Sequence, residues 1–185
     1  MPEKELSIDS RVSLSDGNSM PLLGLGTWAA QPGGETRDAV SFALETGYRH
    51  IDTAKMYSNE QDVGEAVCQS SISREEIFVT TKLWDSDQGY QTAHDAFDRS
   101  MDQLGLEYVD LYLIHWPVEK LRNDSWRALN EIKESGRARS IGVSNFSHKH
   151  LQELFSHSDT RPVVNQIELS PFLQQPPIAS FCRSE

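Results

Sequence analysis

Several things are scarce in this sequence. It has only two cysteines, Cys68 and Cys182, too far apart for any ligand or redox spacing. That argues against a disulfide scaffold and predicts two free thiols in a reducing compartment. Basic residues never form a run, and the net charge is −11. Nucleic acid and anionic membrane both select clustered Lys and Arg, so neither is expected as a partner. No apolar stretch approaches the roughly 20 residues that cross a bilayer. Met1-Pro2-Glu3-Lys4-Glu5 is polar and unlike a signal or transit peptide, which predicts a cytoplasmic protein. The histidines read as forming neither an H-x-H nor an H-E-x-x-H site, and no metal is expected. Gly24-Leu25-Gly26-Thr27-Trp28-Ala29 lacks the third glycine of a dinucleotide-binding turn, which weakens the case for an open nucleotide-binding sheet.

Short apolar runs are present, and they recur. They fall at 22–25, 50–54, 77–83, 109–114, 138–143 and 163–169, with starts about 25–30 residues apart, close to one βαβ unit. Ile77-Phe78-Val79-Thr80-Thr81 and Val109-Asp110-Leu111-Tyr112-Leu113-Ile114 are nearly continuous in apolar or β-branched residues, as parallel strands covered on both faces are. Helical stripes lie between the runs. Ala39, Val40, Ala43 and Leu44 form one, closed by Gly47; Ala93, Phe97, Ser100, Met101 and Leu104 form another, closed by Gly105. Trp126, Leu129 and Ile132 precede Gly136, and Ser147 can cap a helix carrying Leu151, Leu154 and Phe155. Ser73-Arg74-Glu75-Glu76 has capping-box spacing, and residues 11–21 read as a hairpin turning at Asp16-Gly17 or Gly17-Asn18. The pattern predicts one parallel α/β domain over residues 1–185, as an open sheet or a closed barrel.

In a barrel, chemistry gathers where the strands end. Asp52 ends the second strand, with Tyr57 just beyond it; Lys82 ends the third and His115 the fourth. Ser144 and Asn145 end the fifth strand, and Gln166 lies on the sixth. Trp28, Trp84 and Trp116 lie at such ends too, so the set describes an aromatic-walled pocket with an ionisable floor. A lysine buried there needs a carboxylate, and Asp52 is available. A cation beside Tyr57 should lower the phenol's pKa and make it a proton donor to a carbonyl oxygen, with His115 orienting that oxygen.

Gly47-Tyr48-Arg49-His50-Ile51-Asp52-Thr53-Ala54-Lys55-Met56-Tyr57-Ser58-Asn59-Glu60 resembles the signature of the aldo-keto reductase family. Leu111-Tyr112-Leu113-Ile114-His115-Trp116-Pro117 and Ile141-Gly142-Val143-Ser144-Asn145-Phe146 resemble two further family segments, and the likeness runs from about residue 8 to 185. The resemblance implies a (β/α)8 barrel with an N-terminal hairpin, and a tetrad of Asp52, Tyr57, Lys82 and His115 with Tyr57 as general acid. It implies that Ser144, Asn145 and Gln166 hold a nicotinamide carboxamide, that Gly26, Thr27 and Asp52 adjoin the cofactor, and that Trp28, Tyr57, Trp84, His115 and Trp116 contact substrate. NADPH is the implied cofactor, with no metal, a small aldehyde or ketone the substrate, and a monomer the implied full-length form. Only six of the eight strands are counted, so the chain reads as truncated before the seventh, its last helix beginning near Pro177. Such an open sheet is expected to expose two long edges, and the alternative to a reductase is a catalytically silent interaction or regulatory chain. The short stretch between Pro117 and a helix near Ser125 predicts a wide pocket mouth.

Overall fold

The computed structural model describes residues 6–185; Met1 to Glu5, read above as a polar start, lie outside the described residues. The chain opens with an antiparallel hairpin, β1 (Arg11–Ser13) and β2 (Ser19–Pro21). Its loop turns through Gly17 at φ 90°, a left-handed conformation that glycine adopts without strain. Six parallel strands follow in chain order: β3 (Leu25–Gly26), β4 (His50–Asp52), β5 (Phe78–Leu83), β6 (Val109–Ile114), β7 (Ala138–Ser144) and β8 (Asn165–Gln166). Between them run α1 (Gly34–Glu45), α2 (Glu60–Gln69), α3 (Tyr90–Leu104), α4 (Arg122–Glu134) and α5 (His148–His157), with α6 (Pro176–Ser184) after β8. Each strand pairs with its neighbour in sequence, and β3 and β8 are the open edges of an incomplete barrel.

The core lies between the helices and the outer face of the strands, around Val40, Ile51, Val79, Phe97, Tyr112 and Trp126. A smaller cluster of Phe78, Leu111 and Leu113 lines the inner face, packed by Met20 of the hairpin. The hairpin closes the N-terminal end of the strands: Ser140 Oγ donates to Asp16 Oδ2 at 2.9 Å, and Lys133 Nζ reaches the same oxygen at 3.2 Å. With that end plugged, the polar strand termini face the opposite mouth.

The long central strands fall where the apolar runs predict, while the outer ones differ. The first barrel strand is Leu25–Gly26 and not residues 22–25; Leu22 and Leu23 are exposed links from the hairpin. The sixth shrinks from 163–169 to Asn165–Gln166, because β7 alone pairs with it. The open edges are therefore two-residue strands, not the long ones expected, and short edges are among the ways proteins limit edge pairing. On α1 the buried stripe is Thr36, Val40, Ala43 and Leu44, and Ala39 faces solvent. Helix α4 starts at Arg122, earlier than Ser125. Ser73 does not cap a backbone amide; its hydroxyl donates to Glu76 Oε1 at 3.1 Å beside a 3₁₀ turn. Helix α2 has no counterpart in the sequence pattern described above; its acidic and amide residues flank a stripe of Val63, Ala66 and Val67.

Candidate active site

Strand ends place the ionisable set together. β4 delivers Asp52 at its last residue, and a 3₁₀ turn over Lys55–Tyr57 swings Tyr57 back over it. Lys82 comes from β5, where it is fully buried. Its Nζ donates to Asp52 Oδ1 at 2.5 Å, to Thr53 O at 2.9 Å and to Tyr57 Oη at 3.4 Å. All three ammonium protons thus have an acceptor, which offsets the cost of burying the charge. Burial still lowers the Lys82 pKa, against the opposing pull of Asp52 and Glu60.

Tyr57 departs from the sequence expectation. Its pKa is pushed up to about 12, first by burial and then by the Asp52 carboxylate. The cation does not win because its charge is already matched by Asp52 at shorter range. The phenol therefore keeps its proton throughout the physiological range.

His115 follows β6 and is buried, its ring edge-on to Tyr57 at 5.7 Å and to Trp84 at 5.2 Å between centroids. Burial and then the Lys82 charge lower its pKa to about 4, so the imidazole is neutral at pH 7. Its Nδ1 is buried with no hydrogen-bond partner among the described residues.

The strand ends on the far side of the sheet carry amides. Gln166 Nε2 donates to Asp52 Oδ2 at 2.8 Å, spanning the opening from β8 to β4. Asn145 Nδ2 donates to His115 O and to Ser144 Oγ, both at 3.0 Å, and Ser144 Oγ donates to Gln166 O. The two side-chain amides spend their nitrogens on the protein; among the described residues, Asn145 Oδ1 and Gln166 Oε1 accept no bond. Free acceptors beside a tyrosine–lysine pair suit a ligand with an amide N–H.

Around this floor Trp28 is 71% exposed and Trp116 48%, with Trp84 half-buried. Thr27 is buried, and its hydroxyl donates to Asn59 Oδ1 and Asp52 O, while Gly26 presents open space. Asn59 and Glu60 did not stand out in the sequence as contributors, yet both are buried directly behind the site. His148 and His150 stand two residues apart at the start of α5, but the His150 ring closes a capping box with Ser147. No group of three His, Cys, Asp or Glu among the described residues could hold a metal ion.

A half-open β/α barrel with a Tyr–Lys–Asp–His cluster at the C-terminal ends of its strands defines the class of protein: a parallel β/α barrel with ionisable groups gathered at the mouth. The particular family follows from comparison. The family model described as "Aldo/keto reductase family" matches residues 22–185, and the chain belongs to that family. It is 54% identical over 172 residues to the 9,11-endoperoxide prostaglandin H2 reductase of Trypanosoma cruzi, covering 93% of this chain and 61% of that protein. To the glyoxal reductase of Bacillus subtilis it is 44% identical over 179 residues, covering 97% of this chain and 65% of that one. It superposes with a TM-score of 0.92 on an aldo/keto reductase crystal structure from Brucella melitensis, at 51% identity over 95% of this chain and 69% of the other. The chain thus spans less than two thirds of the curated relatives named here. No helix among the described residues is long and apolar enough to cross a membrane.

Proposed function

We propose that the protein reduces small aldehydes or ketones to alcohols by hydride transfer from NADPH, with Tyr57 as the general acid. The observation that carries this reading is the Lys82 ammonium held between Asp52 and the Tyr57 hydroxyl. Bound NADPH would supply the hydride. Ser144, Asn145 and Gln166 would hold its carboxamide through the unpaired amide oxygens, with Gly26 and Thr27 alongside. An aldo-keto reductase structure from Bombyx mori, determined in complex with NADP, supports that choice of cofactor (TM-score 0.89, 38% identity).

The chain's own groups then divide the work. A carbonyl oxygen that receives hydride at its carbon gains negative charge, and Tyr57 passes its proton to that oxygen. Lys82, donating to the same phenol oxygen, stabilises the phenolate left behind, and Asp52 keeps the ammonium aimed. His115 is neutral and so can donate from one ring nitrogen to the substrate oxygen without competing for the proton. Trp28, Trp84 and Trp116 would form apolar walls, and their exposure leaves them free to meet a small carbonyl compound.

The test is to supply the full chain with NADPH and a small dicarbonyl such as glyoxal and follow NADPH consumption. Turnover that requires both reactants is expected. No consumption with any of a panel of aldehydes and ketones would sink the reading.

A further inference from the structure

Behind the tyrosine lies a side chain that touches none of the reacting groups yet ties together the pieces that carry them. Asn59 is 1% exposed and every polar atom of its amide is engaged. Its Oδ1 accepts from Thr53 Oγ1 at 2.9 Å and from Thr27 Oγ1 at 3.2 Å. Its Nδ2 donates to Thr27 O at 2.9 Å and to Ala30 O at 3.3 Å, with Thr36 Oγ1 at 3.4 Å.

These partners belong to separate elements. Thr53 follows Asp52, and its carbonyl accepts from Lys82. Thr27 and Ala30 bracket the loop that bears Trp28 and bends at Ala29 with φ 66°. Thr36 lies in the first turn of α1. Asn59 is itself two residues beyond Tyr57, across Ser58 at φ 58°, and it begins α2. A turn held in a left-handed residue persists only when its surroundings over-determine it. The buried amide restrains this one alongside the backbone bonds from Ser58 N to Lys55 O and from Tyr57 N to Ala54 O.

We infer that Asn59 is a positioning residue: it locks the turn carrying the Tyr57 phenol to the loop carrying the Trp28 wall, so that acid and pocket keep one geometry. The inference rests on the functional reading above, in which Tyr57 is the acid. It adds that the phenol's placement depends on a residue outside the pocket.

Two substitutions in the full chain test this. Asn59→Asp keeps the size, the Oδ1 acceptor and a good helix start, but sets a carboxylate against the Thr27 and Ala30 carbonyls. Thr53→Val is nearly isosteric and removes only one hydroxyl from the hub. With saturating NADPH and aldehyde, Asn59→Asp is expected to lower kcat about 10- to 100-fold, the cost of misplacing a reacting group by near 1 Å, with the NADPH KM within about threefold. Thr53→Val is expected to lower kcat several-fold. If kcat in both stays within about twofold of the parent while only the melting temperature falls, Asn59 is merely structural and the inference is overturned. Should Asn59→Asp not fold, Thr53→Val decides by the same criterion. Tyr57→Phe, run alongside, separates the two ideas. A dead Tyr57→Phe with unimpaired hub variants defeats only this inference, whereas an active Tyr57→Phe defeats the functional reading and this one with it.

Discussion

Replacing Asp52 by Asn tests the electrostatic floor of the site most severely. Lys82 is buried to 1% exposure and Asp52 is 16% exposed, so the pair is shielded on one side only. Removing one partner of a buried pair costs about 3–5 kcal/mol. Partial exposure of Asp52 and the surviving bond from Lys82 to Thr53 O bring the expectation to about 2–3 kcal/mol at pH 7. The pH dependence identifies the cause. Burial lowers the Lys82 pKa, and Asp52 opposes that through its charge and its hydrogen bond. Without Asp52 the folded-state pKa drops further, while the unfolded value stays ordinary. Between the variant's Lys82 pKa and the parent's, the unfolded variant binds more protons than the folded variant does. Its stability therefore rises with pH there, by at most about 1.4 kcal/mol per unit, and the deficit against the parent narrows. Urea unfolding followed by tryptophan fluorescence, repeated from neutral to alkaline pH, measures both effects. A deficit under about 0.5 kcal/mol that does not change with pH would refute the reasoning.

Two further outcomes follow from the geometry. Since His115 is held to about 4 and Tyr57 to about 12, the kcat profile for carbonyl reduction should show no acidic limb near the ordinary histidine value; such a limb would mean that His115 is not desolvated as described. A Cβ on Gly64 of α2 would lie 1.9 Å from the Leu104 carbonyl oxygen of α3, so Gly64→Ala should destabilise by about 1–3 kcal/mol or more, and an unchanged melting temperature would contradict that helix contact.

The sequence made the centre of the sheet legible and its margins obscure, for a physical reason. β5 and β6 are buried on both faces, so their residues read as continuous apolar runs. β3 and β8 are two residues long and pair on one side, too short to impose any period. Helix α2 is hard to read in the sequence because Glu60, Gln61, Asp62 and Gln69 surround its narrow stripe, and Glu60 itself is buried by accepting from Thr81 and Ser100. At the site, the order of Asp52, Tyr57, Lys82 and His115 was readable from strand ends and from family likeness. The direction of the Tyr57 pKa was not, because it depends on how burial and a second charge combine. The role inferred for Asn59 could not be read either, since its partners span residues 27 to 53 and converge only on folding.

The central claim is that the Tyr57 hydroxyl is the proton donor, and Tyr57→Phe in the full chain tests it most directly. The ring remains and only the hydroxyl is lost, so NADPH affinity, held by Ser144, Asn145 and Gln166 in this account, should be nearly unchanged. Turnover of aldehyde should fall by about 10²–10⁴-fold, the usual contribution of a general acid. A variant that binds NADPH normally and keeps more than about a tenth of the parent's kcat would contradict the account, because another group would then be supplying the proton.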